Sequence, residues 1–388
     1  NTLPYIRLAT DDAETLGTIL HRHSYVESPK VQTGAPIPGI EENKESGFVP
    51  AGEVVRTGRD ELIMQHFDMM QDFLDQQEHV FSAGESEAPQ QVNNDWPFIQ
   101  YLLEHDTNRA VAEFDLDVSQ HRFLQEHILY SSEISDIDPG LHALPVAPLT
   151  ASLEMLSEIA GLLSSRSYLT ALENVRAYNW VALDEGAKTV RMEADRVSED
   201  DSIERFHAAI YDGDNILLEG DVLFSDVMPG NEPMLPPLVS PQAPIWQDHE
   251  LYTTGMFHGP MYHSVRHLIA WDETGIDAEL ADTPVENFYD PGSCPSFFLN
   301  PVLMDAVGHL TAFWIAQSRG TDFSCFPSQI ARIELVNPAA EATGGCQLRG
   351  RLAFLDKQGQ QGRFLEGNYD CIDTEGKALF RIQGWRDR

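Results

Sequence analysis

Asp305 and His309 stand four residues apart in the stretch SFFLNPVLMDAVGHLTAFWIAQS, residues 296–318. On a helix that spacing puts both on one face, one turn from each other. A carboxyl and an imidazole held together can give and take protons, the raw material of general acid–base chemistry. Val302, Leu303, Met304, Ala306, Val307, Leu310, Ala312, Phe313, Trp314 and Ile315 make the stretch apolar on nearly every side, the pattern of a buried helix. A carboxylate in such a place is costly unless it is paired or used. Asn300 and Pro301 mark the helix start, because an Asn side chain can accept an orphan amide and Pro has no amide to lose. Counted from Asn300, Asp305 is the fifth helical residue and lies beyond the turn where an acid would serve the helix dipole. A purely structural Asp–His pair is the other reading of these two residues.

The chain around them is 388 residues long with 42% hydrophobic content, enough for two or three domains with substantial cores. No run reaches the ~18 apolar residues of a bilayer span, and the start lacks a signal peptide's basic and apolar regions. A cytoplasmic protein is the expectation. It does not begin with Met and stops after GWRDR, as a piece cut from a longer polypeptide would. Sixty-two acidic residues against 25 basic ones give a net charge of −37, which repels nucleic acid and anionic lipid. Five lysines in an acid-rich chain also suit a salty environment. Cys294, Cys325, Cys346 and Cys371 form no CxxC pair and no zinc spacing, and read as buried free thiols.

Residues 1–95 read as a linker carrying one amphipathic helix at about 60–81, where Leu62, Met64, Phe67, Met70, Phe73, Leu74 and Phe81 approximate helical spacing. The body that follows is duplicated. In residues 96–226 short β-like segments lead to an apolar helix, Pro148 to Ser165, and then to ENVRAYNWVAL, TVRMEADRV, ERFHAAIYD and DNILLEGDVLF. In residues 247–388 the same order leads through the helix of Asp305 to SQIARIELV, GCQLRGRLAFLD, RFLEGNYDCID and ALFRIQGW. Alternating apolar and polar residues mark these runs as half-buried antiparallel strands. Between the halves, the Pro-rich 227–246 reads as an extended linker. One long helix wrapped by an antiparallel sheet, twice over, is an α+β double hotdog.

At this point the chain resembles a known family, the dehydratase domain of polyketide synthases, in the version found in polyunsaturated fatty acid and heterocyst-glycolipid synthases. Three motifs carry the resemblance. Asp305-Ala-Val-Gly-His309 is similar to the family's DxxxQ or DxxxH on the second helix. Gly255-Met-Phe-His-Gly259-Pro260 is similar to its GYGYGP-like motif, with His258 where the family shows Tyr. In HRFLQEHILYSSEISDIDPGLHALPVAPLTASLEML the family's catalytic His of HxxxGxxxxP falls on His127, Ser131 stands in the Gly position, and the Pro is displaced to Pro145 or Pro148.

The resemblance implies removal of water from β-hydroxyacyl thioesters. His127 would be the base that takes the α-proton, and Asp305 the acid, in apolar surroundings that favour a neutral carboxyl. His309 would orient Asp305 or hold the hydroxyl. Pro148 and Leu149, at the start of the first helix, would help bind the thioester, with amides and dipole near Thr150 facing the developing enolate. Gly255, His258, Gly259, Pro260 and Tyr262 would shape and line the acyl site, Gly259 by permitting close approach and Pro260 by setting the turn. No metal or organic cofactor is implied, because the substrate rides on the phosphopantetheine of acyl carrier protein. That carrier and neighbouring synthase domains are the implied partners, with a homodimer also compatible. A carrier is acidic, so a basic patch from Arg332, Arg349, Arg351 and Arg363 would be needed to dock it.

Other candidates compete. His142 is an alternative base, and Glu154 stands in the first helix roughly where Asp305 stands in the second, as a helix-end or pocket-lining acid. His263 and His267 have metal-like spacing without a completing acid. Tyr252 could line the channel or simply pack. The rival to an enzyme is a non-catalytic double hotdog kept as a structural or acyl-holding module.

Overall fold

The computed structural model describes residues 90–91, 96–129, 144–183, 186–200, 202–253, 256–281, 288–289, 295–319, 326–336, 345–357 and 360–387. The helix expected at 60–81 lies outside these residues, as do Cys294 and Cys325. Cys346 and Cys371 are buried free thiols.

Fifteen strands are described: β1 Gln90–Gln91, β2 Tyr101–His105, β3 Arg109–Asp117, β4 Ile128–Leu129, β5 Leu144–Pro145, β6 Tyr168–Ala177, β7 Ala187–Glu199 and β8 Ile203–Asp212. They continue as β9 Asn215–Ser225, β10 Val265–Asp272, β11 Gly275–Leu280, β12 Pro327–Leu335, β13 Cys346–Lys357, β14 Gln360–Ile372 and β15 Ala378–Asp387. Three α-helices accompany them: α1 Arg122–Gln125, α2 Leu149–Gly161 and α3 Pro301–Arg319.

Thirteen strands form one antiparallel sheet in the order β1-β2-β3-β7-β8-β9-β6-β12-β15-β14-β13-β11-β10. This order makes the duplication visible. Each half places the strand after its long helix at the centre, so β6 pairs with β12, and the later strands run outward in matching sequence on either side. At the seam Glu173 lies opposite Arg332 and the two side chains form an ion pair. The helix α2 packs on β3, β7, β8 and β9, α3 packs on β10, β11 and β13, and the two helices touch each other.

Alternation explains the wrapping. In β8, Glu204, Phe206, Ala208 and Ile210 are buried while Arg205 and His207 between them are partly exposed, so one strand face meets the helix. The apolar cylinder of α3 buries Phe313, Trp314 and eleven further residues, and each large side chain fully removed from water contributes about 1.5–3 kcal/mol. Its start is as the sequence predicts: the Leu303 amide donates to Asn300 Oδ1 at 2.9 Å, and Pro301 is the first helical residue. The first helix is shorter than expected. It ends at Gly161 and not Ser165, because Ser164 and Ser165 turn to bind the buried Glu204 carboxylate through two hydroxyls and an amide. Likewise β6 begins at Tyr168 and stops at Ala177, leaving Tyr178–Leu183 outside the sheet apart from a bridge between Ala182 and Val146.

The Pro-rich stretch is pinned to the second half. The Asp370 carboxylate accepts the Met234 and Leu235 amides at 2.7 Å each, Arg381 donates to the carbonyls of Gly230 and Glu232, and Gln242 bridges Trp271.

Candidate active site

His127 follows α1 and precedes β4, and its backbone forms an isolated bridge with His258 from the far half of the chain. The β4–β5 pairing brings Val146 beside it, and His127 Nδ1 lies 2.7 Å from the Val146 carbonyl. A carbonyl has no proton to give, so Nδ1 carries the hydrogen and Nε2 of the neutral ring keeps a lone pair. Burial pushes His127 below the ordinary imidazole value, against the opposing pull of Asp305 and the Val146 carbonyl. A neutral imidazole with an assigned tautomer is the form a base requires.

Facing it, α3 presents Asp305 and His309. Asp305 Oδ2 lies 3.2 Å from His309 Nε2 and 3.4 Å from His258 Nε2, yet accepts no aligned hydrogen bond from either. Behind His309, Nδ1 lies 3.2 Å from the Tyr252 hydroxyl, whose oxygen accepts the Val265 amide at 2.9 Å. The His309 ring therefore stands between the Tyr252 hydroxyl and the Asp305 carboxyl. His127, His258 and Asp305 each bring one nitrogen or oxygen within 4.8 Å of the others. Along α3, Asp305, Gly308 and Ala312 are half-buried where their neighbours are buried, and a Cβ placed on Gly308 would meet nothing within 4 Å. An open strip therefore runs past the Asp305 carboxyl.

His258 is held in place by its neighbours. The Gly259 amide donates to the Glu126 carbonyl at 2.7 Å, and a Cβ on Gly259 would lie 2.8 Å from Glu126 Cβ, so only glycine allows this approach. Pro260 opens a 3-10 turn, Pro260–Tyr262, and Glu126 Oε2 accepts the Met261 amide. The His258 ring stacks on Phe257 with centroids 4.0 Å apart, and burial with the adjoining His309, His127 and His263 holds it well below the ordinary imidazole value.

Residues 237–388 match the family described as polyketide synthase dehydratase N-terminal domain. Solved dehydratases share the fold across both halves. The dehydratase domain from the CurF module of the curacin polyketide synthase is 13% identical with a TM-score of 0.53, over 76% of this chain and 99% of that one. GphF dehydratase 1 is 17% identical with a TM-score of 0.54, over 76% and 98%. A pyran synthase domain from module nine of the sorangicin pathway is 17% identical with a TM-score of 0.53, over 75% and 97%. No curated protein matches the sequence. At these identities the likeness establishes the fold, and the chain has the double hotdog of polyketide synthase dehydratase domains.

Within that dehydratase fold, the structure brings His127, His258, Asp305 and His309 into one cluster and gives other expected residues different places. Tyr262 is fully buried and donates its hydroxyl to the Phe123 carbonyl at 3.0 Å, so it braces the turn, and its ring lies edge-on to His127 and His258 as part of the wall behind them. Pro148 caps α2 with half-buried Leu149 after it, two residues beyond the Val146 carbonyl that holds His127. Gly255, Ser131 and His142 lie outside the described residues. His263 and His267 are not partners: His263 stacks on Tyr252 and donates Nε2–H to the His258 carbonyl, while His267 pairs with Asp248 at 2.8 Å. Two of the four arginines expected to form a basic patch are already neutralised, Arg332 by Glu173 and Glu334 and Arg351 by Asp277.

Glu126 and the Val146 carbonyl were missed by sequence reasoning. Arg122 and Glu126, an i,i+4 ion pair directly before His127, were the available signal for the first; a backbone carbonyl leaves none. A surface groove of about 300 Å³ lined by Arg176, Tyr178, Gln329 and Arg386 shares no residue with the cluster. Among the described residues, no helix is long and apolar enough to cross a membrane.

Proposed function

We propose that the chain dehydrates β-hydroxyacyl thioesters carried by acyl carrier protein, as the cytoplasmic dehydratase domain of a synthase of the polyunsaturated fatty acid or glycolipid type. The observation that carries this reading is the approach of His127 and Asp305 to within 4.8 Å across the two halves, with the His127 Nε2 lone pair free of the backbone. His127 Nε2 takes the proton from the α-carbon, and Asp305, acting as the acid, gives a proton to the β-hydroxyl, which leaves as water. Transfer of the proton from His127 back to Asp305 resets the site. His309, held by Tyr252, orients the Asp305 carboxyl. The first-turn amides of α2 face the thioester oxygen, with the buried and unpartnered Thr150 hydroxyl beside them. The open strip at Gly308 receives the acyl chain. The reaction as written uses no cofactor.

The test is a dehydration assay on β-hydroxyacyl pantetheine thioesters of several chain lengths and on the carrier-bound form, followed by the mass loss of water. Enoyl product from the wild type supports the enzyme. Inertness with every substrate, carrier-bound ones included, makes the non-catalytic acyl-holding module the better reading.

A further inference from the structure

The cluster holds more imidazole than an acid–base pair needs. His258 stands within reach of both His127 and Asp305, and among the described residues this trio alone gathers three metal-capable side chains around one point. Two imidazoles and one carboxylate are a donor set that divalent zinc and its neighbours accept readily. The spacing agrees. With bonds of about 2.0–2.1 Å, adjacent donor atoms of a tetrahedral zinc site lie about 3.3 Å apart, and His258 Nε2 lies 3.4 Å from Asp305 Oδ2.

The surroundings are those of a ligand set. The hydrogen bond from His127 Nδ1 to the Val146 carbonyl fixes the ring and aims the Nε2 lone pair inward, the arrangement that orients metal-binding histidines. His309 approaches the same Asp305 oxygen, its ring 4.0 Å from that of His258, and is itself held by Tyr252. Asp305 Oδ2 and His258 Nδ1 are buried with no hydrogen-bond partner, and the His258 side chain is only 8% exposed. Buried polar atoms left unpaired are costly, and a bound cation would relieve that cost at the carboxylate. The donors come from three separated segments, namely the bridge before β4, the turn before Pro260 and the second turn of α3. Glu126 and Gly259 lock the first two together.

We infer that His127, His258 and Asp305 bind one divalent first-row transition-metal ion, with zinc as the representative, and leave a fourth position for water. The ion takes the His127 lone pair and the Asp305 carboxylate, so it competes with the proton transfers of the proposed dehydration and inhibits them. Binding itself depends on geometry alone and stands apart from the dehydratase reading.

The experiment uses the full chain, stripped with a chelator and dialysed. Zn²⁺ is titrated calorimetrically, and Co²⁺ is titrated while its visible absorption is recorded. The expected result is one tight ion per chain and the intense absorption of a four-coordinate, nitrogen-containing cobalt site. His258→Gln and Asp305→Asn should each weaken binding by at least about a hundredfold and abolish the absorption, while His267→Ala changes neither. Circular dichroism of the metal-free variants checks their fold. Absence of binding tighter than about 10 µM overturns the inference. So does a weak, oxygen-only cobalt spectrum in the wild type, or binding that survives both variants, since a chain of charge −37 can hold ions on its surface. These readouts need no turnover, so an inert enzyme would sink the dehydratase reading and leave the metal site to be judged separately.

Discussion

Each long helix carries an acid in a roughly corresponding place, Glu154 in α2 and Asp305 in α3, and the two acids live differently. Glu154 is fully buried and both of its oxygens are occupied, accepting the Phe298 and Leu299 amides at 2.7 Å each, just before α3 begins. One turn later Glu158 accepts the Phe98 amide at 2.8 Å. Burial pushes Glu154 up to about 8, even with two amides pulling it down, and burial together with the adjoining Glu154 holds Glu158 well above the ordinary carboxyl value. Among the described residues, no backbone amide donates to Asp305. Its Oδ2 faces two imidazoles from different segments on the open strip of α3. A buried acid is therefore no sign of chemistry by itself. What separates the two is whether the backbone consumes the lone pairs or leaves them facing groups that exchange protons.

The widest gap between the acids should appear in activity. His127→Ala and Asp305→Asn are each expected to lower dehydration by about 10²–10⁴-fold while the melting temperature stays near wild type. If Asp305→Asn keeps near-wild-type turnover, Asp305 is as structural as Glu154 and the contrast fails; if His127→Ala does, the base is another group.

The mirror prediction concerns Glu154→Ala, which strands two buried amides and should cost roughly 2–6 kcal/mol of folding stability in urea denaturation. Loss of activity without loss of stability would place Glu154 in the chemistry and break the comparison from the other side. Gly259→Ala should cost about 1–3 kcal/mol through its clash with Glu126, and should displace His258 from Asp305, lowering activity more than stability alone explains.

Two pH measurements sharpen the picture. Glu154 binds its proton more tightly folded than unfolded, so its contribution to stability is full below the ordinary glutamate value of 4.5 and is lost as pH rises through about 8. Stability should therefore decline across that window, and Glu154→Gln should flatten the decline. His127 is shifted the opposite way, so in chelator-treated enzyme the acid limb of kcat/KM should lie below pH 6.5. A limb above that value would assign the base to another group.

Asp305 and His309 were legible because a helix turns sequence spacing into proximity, and Asn300–Pro301 marked where that helix begins. The duplication was legible for the same local reason: two helices followed by four alternating strands show in hydrophobic period alone. The end of α2 was not, because Ser164 and Ser165 are recruited by Glu204 on a strand still to come. Nor was the function of Glu154, since its partners are backbone amides that look alike in every sequence.

By itself, the sequence determined the two long helices of the duplicated body, the strands that follow each, the order of the two halves and the candidate acid, all set by local periodicity and capping. Only the tertiary structure decided which histidines reach that acid. The β4–β5 pairing and the Gly259–Glu126 contact bring His127 and His258 together from opposite halves, whereas His263 and His267, adjacent in the chain, face different partners. Contacts between residues far apart in the chain depend on strand register and close packing, which spacing along one segment does not encode.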